Sequence, residues 1–471
     1  MDPAALPRRH LARGVVLLVV LALLAPSAAS ALTHDPAEAT AFKRGTITEP
    51  AEGLTVVGIQ GFHFNGQGAT KKPARLAAFG PRGELRWVYD GRNVGARWFY
   101  DVDPLPSGNL LVTATNRSGT IVLSLDPETR EPVWVERLPY TDTHDVDQLD
   151  EHRLLVANMR AYNETSDTNN DRILIYNRTT DAVEWQWLFR KHYPTLLDED
   201  TNLGRGGVRT DDWTHVNDVD EIAPGKFLAS VRNFDQVIVV DRETGNVTLR
   251  LGANDRYAVM AEQHNPVYLE SESGAPTILV ADSEQDRIVE YERQGPDDWR
   301  RTWTLTGSFS WPRDADRLPD GNTLIVDSLN HRVVEVTPAG EIVWEVYAPW
   351  SPYDAERIPL GDEAGGPTIA DQNATGRASL HGSAGLTPGT GDRVAFAGWL
   401  TATFAGTPLA GPVAAFADRW AHVTPWIYPV WMSGWDFALL LGAVLVALAW
   451  GAAEIVLARE RILARLRRLA A

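Results

Sequence analysis

Asp212-Trp213-Thr214-His215-Val216-Asn217-Asp218-Val219-Asp220 decides the reading of this chain. It sets a histidine and an asparagine two residues apart, just ahead of a segment with strand-like alternation. Weaker copies recur when the chain is aligned on the Asp-x-Asp core. They are Asp101-Val-Asp-Pro-Leu105, Asp145-Val-Asp-Gln-Leu149, Asp218-Val-Asp-Glu-Ile222, Asn265-Pro-Val-Tyr-Leu269 and Asp314-Ala-Asp-Arg-Leu318. The intervals are 44 (145−101), 73 (218−145), 47 (265−218) and 49 (314−265). A period in the forties is that of four-stranded propeller blades. The long interval reads as one blade plus an insertion, because 163–171 and 191–212 are rich in Asp, Asn, Gly and Thr.

Each copy continues alike. A turn such as Pro319-Asp-Gly-Asn322 leads to Thr323-Leu-Ile-Val326, then Arg332-Val-Val-Glu-Val336, a Gly turn, and Ile342-Val-Trp-Glu-Val346. Short β-rich runs bounded by Gly, Pro, Asn and Asp are strands. Trp87, Trp134, Trp185 and Trp303 take the place of Trp344 in other copies. A recurrent Trp at the blade end is chiefly a packing device between neighbouring sheets. An incomplete first copy over 55–90 brings the count to six, so the chain reads as an all-β, six-bladed propeller over 53–349. Beyond it the pattern fails, and the Gly, Ala, Pro and Thr of 350–425 read as a stalk or cap.

The ends read differently. Arg8, Arg9 and Arg13 precede the apolar run 15–24, and Ala29-Ser30-Ala31 offers an A-x-A site. Residues 1–31 therefore read as a secretory signal peptide, with an uncleaved anchor as the alternative. Residues 436–458 are long and apolar enough to span a bilayer. Trp426, Tyr428, Trp431 and Trp435 lie before them, and Arg459, Arg461, Arg465, Arg467 and Arg468 follow in a basic tail, 459–471. The positive-inside rule keeps that tail cytoplasmic and the propeller on the extracytoplasmic side, tethered by a single C-terminal span.

Composition narrows the partners. Against 44 Lys+Arg stand 62 Asp+Glu, a net charge of −18, which speaks against nucleic acid, whose binding rests on clustered cations. With no Cys, disulfides and thiolate chemistry are excluded. Oligomeric state is unconstrained.

The residue before each repeat core is Tyr100, His144, Asn217, His264 and Arg313, and His215 stands two before Asn217. In a propeller the innermost strands line the axis, so these entrances aim at one centre. Arg232, in Ser230-Val-Arg-Asn-Phe234, closes the next strand and also points inward. Any lone His here is more simply a turn cap; the joint register is what argues for a site. Several His and an Arg with few carboxylates favour an anionic ligand, Arg giving a planar fork for tetrahedral oxyanions. A His can also serve as nucleophile or general base. Three His suit zinc, but Arg232 and Arg313 would repel a cation, so no metal and no cofactor is expected. His331 reads as structural, His422 as interfacial, Asp198–Asp200 and Asp362-Glu363 as solvated loops, and His63 as a candidate lid residue.

His144-Asp-Val-Asp, the Asp212–Asp220 stretch, Ser230-Val-Arg232 and Glu262-Gln-His264 resemble the aryl sulfotransferase family of exported six-bladed propellers. The resemblance implies transfer of a sulfuryl group from a phenolic sulfate ester to a phenol, without a nucleotide sulfate donor, through a sulfated histidine. Carried over, His264 would be the nucleophile. His215, Asn217 and Arg232 would bind sulfuryl oxygens, and His144 would serve as acid/base or sulfate ligand. Arg313 and Tyr100 are expected to bind substrate from their place at the blade entrances rather than from the resemblance. The chain departs from the family in being shorter between motifs and in adding a C-terminal span. Two other readings are a non-catalytic anion- or glycan-binding propeller, and a calcium-dependent hydrolase propeller using Asp145, Asn217, Asn265 and Asp314 as oxygen ligands.

Overall fold

A computed structural model describes residues 8–33, 42–61, 73–197, 212–362, 364–386, 394–429 and 431–469. The chain divides into two units, 40–391 and a second made of 1–39 with 392–471.

The first unit holds six antiparallel four-stranded blades. Blades 2 to 6 each follow the chain outward from their inner strand. Blade 2 runs from Trp98–Pro104 to Pro132–Leu138 and blade 3 from Val146–Gln148 to Ala182–Leu188. Blade 4 runs from Val216–Ala223 to Val247–Gly252, blade 5 from His264–Glu270 to Trp299–Thr306, and blade 6 from Pro312–Arg317 to Ile342–Tyr347. Blade 1 takes three strands from the beginning, Thr55–Ile59, Arg75–Phe79 and Leu85–Asp90. Its innermost strand, Pro352–Arg357, comes from the other end of the propeller. Thr55 faces Arg357 and Gly58 faces Asp354 in that pairing.

This corrects the boundary at 349. Residues 350–386 belong with the propeller: 352–357 close the ring, and Gly376–Ser379 adds a parallel outer strand to blade 5. Lys43–Ile47 likewise covers the edge of blade 6. Both additions occupy outer edges whose backbone groups would otherwise be unpaired. Among the described residues, the insertion expected in blade 3 forms a small hairpin, Tyr162–Asn163 with Thr168–Asn169, and two helical turns, Phe189–His192 and Pro194–Leu197, while 198–211 lie outside them. His63, Asp198–Asp200 and Glu363 lie outside the described residues, as does the side chain of His422.

Middle strands are buried on both faces, which is why they read as continuous apolar runs such as Leu110-Leu-Val-Thr-Ala114. Among the described residues the core has six clusters that lie one between each adjacent pair of blades, and a small seventh of Leu329 and Trp350. Leu110, Val112 and Ile121 meet Val56 and Leu76 between blades 2 and 1. Phe79 and Ile59 meet Trp344 and Leu324 where blade 1 closes on blade 6. Buried ion pairs repeat across these joints. Arg317 pairs with Glu290 at 3.1 Å and lies over the ring of Trp303; Arg357 pairs with Glu335 and lies over Trp344. The blade-end Trp residues of blades 5 and 6 are thus fully buried packing elements, while Trp87, Trp134 and Trp185 are half-buried.

The second unit is helical. Arg8–Thr33 and Gly434–Leu469 are the two long helices, and each holds an apolar stretch long enough to cross a membrane, over His10–Thr33 and Gly434–Arg459. Two shorter helices, Phe396–Phe404 and Ala410–Ile427, carry Phe396 and Trp420 against Trp435 and Phe437.

Candidate active site

Blade entrances set the site. In five of six, the residue three before the repeat core has a left-handed backbone: Asp142, His215, Glu262, Trp311 and Ser351, with φ between 45° and 57°. Such a conformation costs about 1 kcal/mol or more in a residue with a side chain, and it turns the chain sharply before the inner strand. The residue two further on then enters the axis at the same height in each blade. These are His144, Asn217, His264, Arg313 and Tyr353, and blade 2 supplies Tyr100. All six are buried.

Five of these were expected; Tyr353 was not, because it lies beyond the predicted end of the repeats. Yet Asp354-Ala-Glu-Arg-Ile358 is a sixth copy, 40 residues (354−314) after the fifth. Tyr353 sits among the rest. Its hydroxyl lies 3.0 Å from His144 Nδ1. Its ring is edge-on to Tyr100, His144 and His264 at centroid distances of 5.0, 5.5 and 5.8 Å, and the Arg313 guanidinium lies 4.7 Å above it.

His264 has a defined tautomer. Its Nδ1 is 3.1 Å from the Glu262 carbonyl oxygen and 2.8 Å from Ser283 Oγ. A carbonyl only accepts, and the Ser283 hydroxyl gives its proton to the Pro312 carbonyl at 2.6 Å. Nδ1 therefore carries the hydrogen and Nε2 the lone pair. Burial, then Arg313, Arg232 and the two other histidines, hold this imidazole well below its usual pKa, so the ring is neutral.

His215 is similar. Its Nδ1 donates to Asp212 Oδ1 at 2.7 Å, and burial followed by Arg232 pulls its pKa down to about 3 despite that carboxylate. Tyr100 stacks on His144 at 3.8 Å and donates to Asp142 Oδ1 at 2.7 Å, so one face of its ring is already covered. Asp142 Oδ2 is 3.8 Å from His144 Nε2 and 3.0 Å from Arg160 Nη1. Burial pushes the Asp142 carboxyl up, but His144, Arg160 and Tyr100 outweigh it and hold it at about 2. With an anionic Asp142 on the Nε2 side, the His144 proton sits there, and Tyr353 donates to Nδ1.

Arg160 also reaches Asp212 Oδ1 at 3.3 Å, so one guanidinium ties together the carboxylates behind His144 and His215. Arg232 comes to the same region but is ion-paired with Glu262 and donates to Asn233 Oδ1 at 2.8 Å. Asn217 donates to the Gln263 carbonyl at 3.0 Å, anchoring the segment that carries His264, and its Oδ1 is buried without a hydrogen-bond partner. Arg313 donates to Gln60 Oε1 at 2.8 Å and lies 4.0 Å over Trp311; burial lowers its pKa to about 10, so it stays cationic at neutral pH.

Sequence reasoning missed Asp142, Arg160, Ser283 and Gln60, and found the site poor in carboxylates when Asp142, Asp212 and Glu262 back it. A signal existed. Arg232 was located as the residue just after its blade's second strand, and Gln60 and Ser283 hold that same position in blades 1 and 5. His331, expected to be structural, accepts the Ser351 backbone N–H at 3.0 Å and steadies the turn that delivers Tyr353.

Below this ring the inner strands carry the Asp-x-Asp cores. Several of these carboxylates join neighbouring blades: Asp147 Oδ2 accepts from Glu221 N at 2.9 Å, Asp354 Oδ2 from Val102 N at 2.9 Å, and Asp145 from Val219 N. Among the described residues no group of three His, Asp or Glu has the geometry to hold a metal ion.

Residues 59–273 match the family model described as Arylsulfotransferase (ASST). The matched segment takes in Tyr100, His144, His215, Asn217, Arg232 and His264, and ends before Ser283, Arg313 and Tyr353. No curated protein matches the chain. Similar solved structures include a protein of unknown function from Bacteroides caccae, 14% identical, covering 63% of this chain and 93% of that one with a TM-score of 0.42. A catalytically inactive virginiamycin B lyase from Staphylococcus aureus with quinupristin is 9% identical, covering 67% and 89%, TM-score 0.37. An auxiliary nutrient binding protein from Bacteroides thetaiotaomicron is 10% identical, covering 59% and 74%, TM-score 0.37.

Proposed function

With residues 59–273 carrying the arylsulfotransferase family match, we propose that this chain moves a sulfuryl group from a phenolic sulfate ester to a phenol, through a sulfated His264. The observation that carries the reading is the neutral His264 ring, proton fixed on Nδ1 by Glu262 and Ser283, within a ring of cations and donors. In the first half-reaction the Nε2 lone pair attacks sulfur, an N–S bond forms, and the S–O bond to the donor phenol breaks. The departing phenolate takes the Nε2 proton of His144 as the Tyr353 hydroxyl passes its own to Nδ1, leaving the pair as a base with its charge on the Tyr353 oxygen beside the Arg313 cation. In the second, that same base removes the proton of the acceptor phenol. The new phenolate attacks sulfur, the N–S bond breaks, and His264 is restored.

Arg313 faces the histidines as a cation and suits the sulfuryl oxygens, whose charge redistributes in the transition state. Arg232 would join it by sharing its guanidinium between Glu262 and substrate. Asn217 acts through its hold on Gln263. His215 offers Nε2, with Nδ1 committed to Asp212. Tyr100 supports His144 from behind. The two apolar helices of the other unit would tether the propeller on the extracytoplasmic side of a membrane.

The test is transfer from a chromogenic aryl sulfate to a phenol by the full chain in detergent, with intact-mass analysis after exposure to donor alone. Phenol release together with an adduct of one sulfuryl group, both lost in His264→Ala, is the expected outcome. A folded protein that binds sulfate esters without release across a broad donor panel would instead be an anion-binding module.

A further inference from the structure

The segment 1–31 has the charge and apolar pattern of a cleavable signal, yet its helix is built into the second unit. Arg8–Thr33 packs against Gly434–Leu469, with contacts between 13–30 of the first helix and 436–454 of the last. Arg13 Nε and Nη2 donate to the two carboxylate oxygens of Glu454 at 2.8 and 2.7 Å. Gly442 leaves room for Leu23: a Cβ placed there would sit 4.0 Å from Leu23 Cδ1. Ser27 Oγ donates to the Asp436 carbonyl at 3.1 Å and Ser30 Oγ to Asp436 Oδ2 at 2.9 Å. Contacts thus run from 13 with 454, through 23 with 442, to 30 with 436, an antiparallel pair.

Two of these contacts answer a specific need. Glu454 and Asp436 lie inside the apolar stretch Gly434–Arg459. A carboxylate there is costly unless paired or hydrogen-bonded, and the first helix supplies Arg13 for one and Ser30 for the other. Ser27 and Asp436 are buried by the pairing. Cleavage after Ala31 would remove every one of these partners at once. Charge agrees with the geometry: Arg8, Arg9 and Arg13 precede the first helix's apolar run, and the arginines from Arg459 onward follow that of the last. An antiparallel pair brings both basic ends to one side, as the positive-inside rule demands.

We propose that the N-terminal helix is retained as a second membrane span, locked antiparallel to the C-terminal helix by Arg13–Glu454 and by Ser27 and Ser30 on Asp436, with both chain ends cytoplasmic. This replaces the single-span topology expected from sequence. It rests on the membrane reading of the helices and is independent of the sulfuryl-transfer chemistry.

The chain has no cysteine, so an introduced pair reports cleanly. The full chain, with an N-terminal epitope tag and the pair Leu23→Cys and Gly442→Cys, is expressed in a cell that exports it. Membranes are washed at alkaline pH and oxidised with copper-phenanthroline. Intact mass should show the tag present on essentially every mature chain, and peptide mapping should show residue 23 joined to residue 442. Arg13→Glu or Glu454→Arg alone should cut the cross-link yield several-fold, and the two together should restore it. A mature chain beginning near Leu32, or a retained tag with no cross-link, overturns the proposal. Release of the chain by the alkaline wash overturns the membrane reading beneath it, whatever the transferase assay gives.

Discussion

Ser283 Oγ lies 2.8 Å from His264 Nδ1 and passes its own proton to the Pro312 carbonyl at 2.6 Å, so a blade-5 hydroxyl fixes which nitrogen of the central imidazole is a nucleophile. In Ser283→Ala the Nδ1–H keeps only the longer bond to Glu262, and the other tautomer becomes accessible. Losing one such bond to a buried group costs about 1–3 kcal/mol, or roughly 5- to 150-fold in rate. The expected result is a fall of that size in turnover with an aryl sulfate, at unchanged melting temperature within a few degrees. A burst of phenol release slowed by the same factor places the effect on the first half-reaction.

Tyr353→Phe tests the residue that sequence reasoning did not place. The ring stays to pack against Tyr100, His144 and His264, while the hydroxyl at 3.0 Å from His144 Nδ1 is lost. If His144 with Tyr353 supplies and removes the phenol proton, the loss grows with the basicity of the leaving phenol. A nitrophenyl sulfate should lose only a few-fold, and an unactivated phenyl sulfate about 10²-fold, within the usual span of acid–base catalysis. Equal losses for both donors would assign Tyr353 a packing role only.

Ring closure gives a test at the level of folding. Strand Pro352–Arg357 is the inner strand of blade 1, and Arg357 pairs with Glu335 across the joint with both side chains buried. A chain stopped at 349, the boundary that the repeat pattern predicts, exposes the inner faces of blades 1 and 6 and should be insoluble. One covering 40–386 should be soluble with a cooperative melt. Within the whole chain, Glu335→Gln leaves a buried guanidinium unpaired and should cost about 3–5 kcal/mol, read from denaturant titration.

How much of this was legible follows from the reach of each signal. The blade period, the turn before each inner strand and five entrance residues are local patterns, and each entrance residue lies where its own repeat puts it. Tyr353 escaped because its copy has Glu356 in place of the second Asp, and it follows the composition change at Pro349. Its partner strand also begins about 300 residues away, and no local propensity reports so distant a pairing. Asp142, Arg160 and Ser283 escaped for another reason. They act through the entrance residues of their own or the next blade, and only the closed ring brings those turns together. The insertion in blade 3 is legible from the long interval and its richness in Asp, Asn, Gly and Thr, but nothing in that composition distinguishes a hairpin from a loop.

The carboxylates below the site make stability depend on pH in a direction that can be checked. Burial pushes Asp145 and Asp316 up to about 7. It also holds Asp101, Asp103, Asp218, Asp354 and Glu356 well above the usual range, with neighbouring carboxylates adding to the effect. A carboxyl whose folded pKa lies above its unfolded value of about 4 binds more protons when folded. Its stabilising contribution is full at low pH and is lost as pH rises through the folded value. The three histidines, held low in the fold, work the other way, because the unfolded chain takes up their protons. That opposition fades as pH rises through about 6.5, where free imidazole is half protonated. Between pH 6.5 and 8 the seven raised carboxyls outweigh the remaining histidine effect, and the melting temperature of the 40–386 propeller should fall as pH rises. Asp103→Asn removes one charge whose Oδ2 is buried without a hydrogen-bond partner. It should raise the melting temperature at pH 8 by about 2 °C for each kcal/mol of relieved repulsion and flatten the slope. A melting temperature that rises from pH 6.5 to 8 in the parent would mean that these carboxyls ionise freely inside the channel, with water reaching them.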